Sequence, residues 1–150
     1  MRKPQPARSL LSAFLAVCLL ALPVPPRAEQ MQRLGPFEVH YVVVQSTFFS
    51  SEIASRYAIV RGRDRALLNI SVLDETGSAV PVVIAGTVTN LLGQVAPLEF
   101  REVTEGPAVY YLAEIKHTDR ETLRFAATIT GHDGVPRELR FQQQMFWDAE

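Results

Sequence analysis

The stretch Glu105-Gly106-Pro107-Ala108-Val109-Tyr110-Tyr111-Leu112-Ala113-Glu114-Ile115 constrains the fold of this chain more than any other. A Gly-Pro turn opens it, and the β-branched and aromatic residues that follow compose a strand that packs on both faces. Comparable runs precede and follow it, which predicts a position in the middle of a sheet.

Those runs share its period. Residues 37–45 place Phe37, Val39, Tyr41 and Val43 on one face, and Glu38, His40, Val42 and Val44 on the other. Residues 66–73 alternate in the same way. Further strands are expected over 58–60, 82–91, 98–103, 122–130 and 137–147, the last with Leu139, Phe141, Met145 and Trp147 inward. Asp133-Gly134 reads as a hairpin turn. Ser50 or Ser51 can cap a turn or two of helix with Glu52 in its first turn, the one helical signal after the N-terminal segment. Seven or eight strands spaced about 10–15 residues apart predict an all-β fold. The expected architecture is an immunoglobulin-like antiparallel sandwich with one short helical insertion. Within that frame residues 108–113 resemble strand F of immunoglobulin domains. Tyr110 would then be the tyrosine-corner residue, and Leu112 would stand where those domains place a cysteine.

The N-terminus reads differently. Arg2, Lys3 and Arg8 precede an apolar run from Ser9 to Leu22, and Pro23, Pro25 and Pro26 break it before Ala28. This is the layout of a secretory signal peptide over residues 1–28. The run is shorter than the roughly 20 residues that a membrane-spanning helix needs. Cys18 follows Val17 where a lipobox requires a small residue, so it reads as part of the signal. Residues 29–150 are left as a single β-sandwich domain with no membrane segment.

That domain carries 11 basic and 16 acidic side chains, a net charge of −5, and no cysteine. An acidic surface gives no electrostatic basis for binding nucleic acid. Without thiols there is no disulfide, no thiol catalysis and no cysteine-ligated metal. The core alone must hold the fold.

Residues that could carry chemistry are scattered. His40, His117 and His132 show no spacing that places two metal ligands on one local element, and His117 and His132 fall in predicted turns. There is no Gly-x-Ser-x-Gly elbow and no glycine-rich phosphate loop, although a spatial Ser-His-Asp arrangement needs no sequence order. Glu99, Glu102, Glu105 and Glu114 fall on polar faces or in turns. Asn69-Ile70-Ser71 matches a glycosylation sequon inside a predicted strand, which reads as chance. Arg61, Arg63 and Arg65 form the densest positive charge and suit either an anionic group or a solvated turn. Phe48-Phe49, Leu91-Leu92 and Met145-Phe146-Trp147 are apolar at poor positions for burial. They either cap the sandwich or join into a partner site.

Residues 37–41, 46–48, 69–72, 98–103, 110–113 and 139–143 together resemble the secreted proteobacterial family known as domain of unknown function 4426. The likeness runs in the same order through the whole chain after the signal. It implies a Gram-negative source and a periplasmic address, and brings no activity, ligand or catalytic residue. The resulting expectation is a non-catalytic binding or accessory module, without cofactor or metal, that recognises an envelope protein or extended ligand through Phe48, Phe49, Arg61, Arg63 and Arg65. The alternative is a small-ligand or metal-binding protein with weak hydrolytic activity, built on His40 with Tyr41 or a carboxylate.

Overall fold

The computed structural model describes residues 30–147; the signal-peptide reading of residues 1–28 lies outside them. Among these described residues, nine antiparallel strands make two sheets. One holds β1 (Gln30–Leu34), β2 (Phe37–Gln45), β3 (Arg65–Leu73), β7 (Ala108–Lys116) and β6 (Arg101–Glu105), side by side in that order. The other holds β5 (Val95–Leu98), β4 (Val83–Asn90), β8 (Thr122–Thr130) and β9 (Pro136–Gln144), again in spatial order. The order β2-β3-β7-β6 facing β4-β8-β9 is the A-B-E-D and C-F-G arrangement of immunoglobulin domains.

The period-2 patterns set the interior. Phe37, Val39 and Tyr41 of β2, Leu68, Ile70 and Val72 of β3, and Tyr111, Ala113 and Ile115 of β7 meet Leu123, Phe125, Ala127 and Ile129 of β8 and Leu139 of β9 in one buried cluster. Tyr41 and Phe125 pack on either side of Phe141, with ring centroids 4.4 and 4.6 Å apart. As expected, β7 lies inside its sheet, between β3 and β6.

Several expectations are corrected. Residues 98–103 are not one strand: β5 pairs with β4, β6 pairs with β7, and the chain changes sheets at Glu99-Phe100. Pro97 sits in β5 at the sheet edge, where a missing N–H is tolerated. The strand β7 takes position E rather than F, so Tyr110 is no corner residue. The inward tyrosine is Tyr111, one residue on. Strand β9 ends at Gln144; Met145 is buried, but Trp147 is exposed beneath the Arg63 guanidinium, 4.4 Å from its ring centroid.

Residues 58–60 are not a strand either. They terminate α1 (Ser51–Arg56), whose N-cap Ser50 accepts a hydrogen bond from Ile53 N–H. At its far end Ala58 has φ +50°, Ala58 N–H donates to Ser55 O, and Ile59 N–H donates to Ala54 O at 2.8 Å. This is the Schellman pattern, completed by the packing of Ile59 and Ala54 in the same apolar cluster.

Candidate functional site

The outer face of a sandwich sheet is ordinarily polar. Here the outer face of the five-stranded sheet is apolar where Val42, Val44, Leu67, Leu112 and Val103 project from it. Cross-strand register aligns Val42, Asn69 and Leu112 in one row, and Tyr110 with Val103 in the next. Residues 46–60 fold back over this face, where Ala54 and Ile59 join Leu67 and Leu112 in a second buried cluster flanked by Phe49, Tyr57, Val103 and Tyr110.

The covering is incomplete. Between sheet and insertion lies a cavity of about 280 Å³, floored by the strands and walled by Phe49, Tyr57 and Ile59. Phe48, 81% exposed, stands at its rim with its ring edge-on to Phe49 at 6.0 Å. Two polar side chains line it, apart from the tyrosines: Asn69 on the floor and the exposed Glu105 at the end of β6. Asn69 Oδ1 is buried and has no hydrogen-bond partner among the described residues. A desolvated acceptor of this kind costs about 1–3 kcal/mol unless something donates to it.

The insertion is fastened at its base. The buried Ser46 hydroxyl donates to Gly62 O at 3.0 Å and accepts from Gly62 N–H at 2.9 Å. Arg61 donates to Ser51 Oγ at 3.0 Å and to Thr47 O at 3.3 Å, holding the N-terminal part of the insertion to the loop. Arg65 pairs with Glu114 at 3.8 Å, and Glu114 also accepts from Val60 N–H at 3.4 Å. The three arginines are thus directed to three different places: Arg61 to the insertion, Arg65 to β7, and Arg63 to Trp147. Of the expected binding residues, Phe48 and Phe49 line the cavity and the arginines do not.

The histidines are separated as well. His40 Nε2 is 3.8 Å from Glu38 Oε2, and Glu38 also bonds Arg33. The ring of His132 meets that of Phe37. His117, expected in a solvated turn, is buried with Nδ1 3.0 Å from Thr118 O and Nε2 3.1 Å from Gln45 Oε1. Among the described residues no group of three or more His, Cys, Asp or Glu side chains could hold a metal ion. No helix there is long and apolar enough to cross a membrane.

Sequence reasoning passed over Asn69, which it read only as a chance sequon. The signal for its setting was present in the unbroken apolar runs Tyr41–Val44 and Leu67–Leu68, since a strand that is apolar on both faces must be covered on both.

The fold and site define a two-sheet β-sandwich that carries a helix-lidded apolar cavity on one outer face. The chain belongs to the family described as domain of unknown function DUF4426, whose profile matches residues 31–148. A DUF4426 family protein from Pseudomonas aeruginosa PAO1 is 34% identical and superposes with a TM-score of 0.72, over 81% of this chain and 97% of that one. FetP of uropathogenic Escherichia coli strain F11, recombinantly expressed in the periplasm, is 15% identical, with a TM-score of 0.60 over 81% and 96% of the two chains. A copper-bound variant of FetP is 14% identical, with a TM-score of 0.58 over 81% and 97%. The likeness to FetP is one of fold alone. No curated protein matches this chain closely enough to count as a relative.

Proposed function

We propose that this protein is a periplasmic, non-catalytic binding module that takes an apolar group of a ligand or envelope partner into the cavity beneath residues 46–60. The observation that carries the reading is the cavity itself. Its floor spends apolar side chains on a face that a free-standing sandwich would leave polar, and the insertion covers them without filling the space. The exposed Phe48 ring at the rim supplies further apolar contact area to whatever enters. The periplasmic address is supported by the signal-like N-terminus and by the fold shared with FetP, expressed in that compartment.

The test is a titration with Nile red, a neutral fluorophore that brightens in apolar surroundings. One site per chain is expected, abolished by Val103→Trp, which fills the cavity from the half-buried edge strand, and weakened by Phe48→Asp. Binding unaffected by Val103→Trp, in a variant whose urea midpoint is unchanged, contradicts the reading.

The copper-bound FetP variant motivates a second reading, in which His40 with Glu38 ligates a metal. These residues supply two donors, fewer than a structural or catalytic site ordinarily uses. They do not fit a resident ion. Stoichiometric copper or zinc in untagged protein, lost in His40→Ala, would promote this reading over the first.

A further inference from the structure

One row of the sheet narrows the ligand, on the footing that the cavity is a binding site. On the outer face of the five-stranded sheet, cross-strand register runs Val42, Asn69, Leu112, Arg101. The first three line the cavity, and so does Val103, two residues after Arg101 on the same face of β6. Arg101 is half-buried and borders the cavity at the end of that row. Two atoms of the row are buried without a hydrogen-bond partner among the described residues: Asn69 Oδ1 and Arg101 Nη2. The carboxylates beside Arg101 are directed elsewhere. Glu114, diagonal to it on β7, holds Arg65 and Val60 N–H, and Glu102 meets Tyr111 on the inner face. A guanidinium offers donors only, and a buried one without an acceptor is costly to the fold. No hydrogen bond among the described residues fixes which end of the Asn69 amide points along the row, so a half-turn adds a second N–H donor there. Asn69 and Arg101 stand two strands apart, about 10 Å between Cα atoms. A carboxylate that accepts one bond at each oxygen spans about 8 Å between its donors, a distance these two side chains can bracket. Glu105 lies four residues further along β6, about 13 Å away, beyond the roughly 8 Å over which exposed charges act at physiological salt.

We infer that the cavity binds a medium-chain fatty acid. Its carboxylate accepts from Arg101 Nη2 and from the turned Asn69 amide. Its alkyl chain lies over Leu112, Val42 and Val103, beneath Phe49 and Tyr57. The cavity of about 280 Å³ is roughly twice the space that encloses a benzene ring, and so takes an unbranched chain of about eight to ten carbons. A neutral alcohol of the same length meets the same apolar walls but leaves the guanidinium without its counter-ion. An alkylammonium brings like charge to Arg101.

The experiment is a ¹⁵N-correlation NMR titration of the protein with octanoate, 1-octanol and octylammonium at physiological salt. Octanoate is expected to shift the amides of Asn69, Arg101 and Leu112 and to bind about tenfold more tightly than octanol, in line with a charge-assisted hydrogen bond. Octylammonium should bind least. Arg101→Met should bring octanoate and octanol to within about twofold without lowering the urea midpoint, since it removes a buried charge that the fold does not pair. An arginine that serves the fold alone would lower the midpoint and leave the ratio of the two affinities unchanged. Asn69→Leu should weaken octanoate while sparing octanol, and carries the test if Arg101→Met does not fold. Glu105→Gln should change the ratio by less than about twofold. Equal affinity for octanoate and octanol, tightest binding of octylammonium, or a ratio indifferent to both Arg101→Met and Asn69→Leu overturns the inference and leaves the apolar binding site standing. Failure of Nile red and octanol alike to bind in the cavity instead removes the reading on which it rests.

Discussion

The Tyr111 hydroxyl accepts a hydrogen bond from Val82 N–H at 2.8 Å, and so ties β7 of one sheet to the residue that leads into β4 of the other. It donates in turn to Glu102 Oε2 at 3.3 Å. The two sheets therefore share a polar junction here, and Tyr111 closes it from a ring buried in the core.

Tyr111→Phe leaves Val82 N–H without its acceptor and should destabilise the fold by about 1–2 kcal/mol, read as a lower urea midpoint with unchanged slope. Burial, and the neighbouring Glu102 carboxylate, hold the Tyr111 hydroxyl above its ordinary value of 10.0, against the opposing bond from Val82. A raised value in the folded state means that stability is complete below pH 10 and falls as the pH rises beyond it. The wild-type chain should lose stability on that alkaline limb more steeply than Tyr111→Phe.

Asp133 drives the opposite limb. Hydrogen bonds from the Arg137 guanidinium and from Val135 N–H bring its carboxyl down from 3.8 to about 2. Between those values the unfolded chain binds the proton and the folded chain does not, so stability rises with pH through this window and is lost on acidification. Asp133→Asn should flatten the acid limb of a pH-dependent urea series while leaving the cavity's Nile red affinity intact.

The end of α1 places an alanine where glycine is the usual choice. Ala58 at φ +50° carries a left-handed strain of about 1–2 kcal/mol, of which glycine's greater freedom in the unfolded chain offsets about 0.4–1 kcal/mol. Ala58→Gly should therefore stabilise the protein by about 0.5–1 kcal/mol in urea denaturation. A loss of stability would mean that the Schellman geometry is wrong.

At the other end of α1, Ser50→Ala removes the cap on Ile53 N–H and should cost about 1 kcal/mol. Because α1 roofs the cavity, the same change should loosen Nile red binding several-fold, a coupling that calorimetry and fluorescence on one sample would register.

The core was legible because period-2 alternation is a local property. Phe37 with Val39, Leu68 with Ile70, and Phe125 with Ile129 could each be grouped on one strand face from their neighbours alone, and the strand built on residues 108–115 fell mid-sheet as its composition demanded. The Ser50 cap was equally local. What escaped were the relationships that depend on another part of the chain. Tyr110 and Tyr111 differ by one residue, and only the pairing of β7 with β3 and β6 decides which of them faces the opposite sheet. The sheet change at Glu99-Phe100 hides inside an alternating apolar and charged run that reads as one strand, with no turn signal of its own. Ile59 looks like a strand residue because β-branched side chains favour strands, yet its contact with Ala54 makes it the closing residue of a helix. Arg61, Arg63 and Arg65 read as one patch since they are adjacent in sequence, and their partners at Ser51, Trp147 and Glu114 pull them apart. Of the site, Phe48 and Phe49 were visible as apolar residues with no obvious burial. Asn69 showed only as a sequon and Glu105 only as one of several carboxylates, because the residues that meet around them in the cavity are set by tertiary contacts.

The most direct measurement of the central claim is an NMR map of where an apolar molecule rests on the native protein. With Nile red bound, intermolecular NOEs should reach the methyl groups of Val42, Leu67, Leu112 and Val103 and the ring of Phe49, beneath residues 46–60. NOEs confined to the exposed Leu91 and Leu92 at the β4–β5 turn, with none from the cavity methyls, would contradict it.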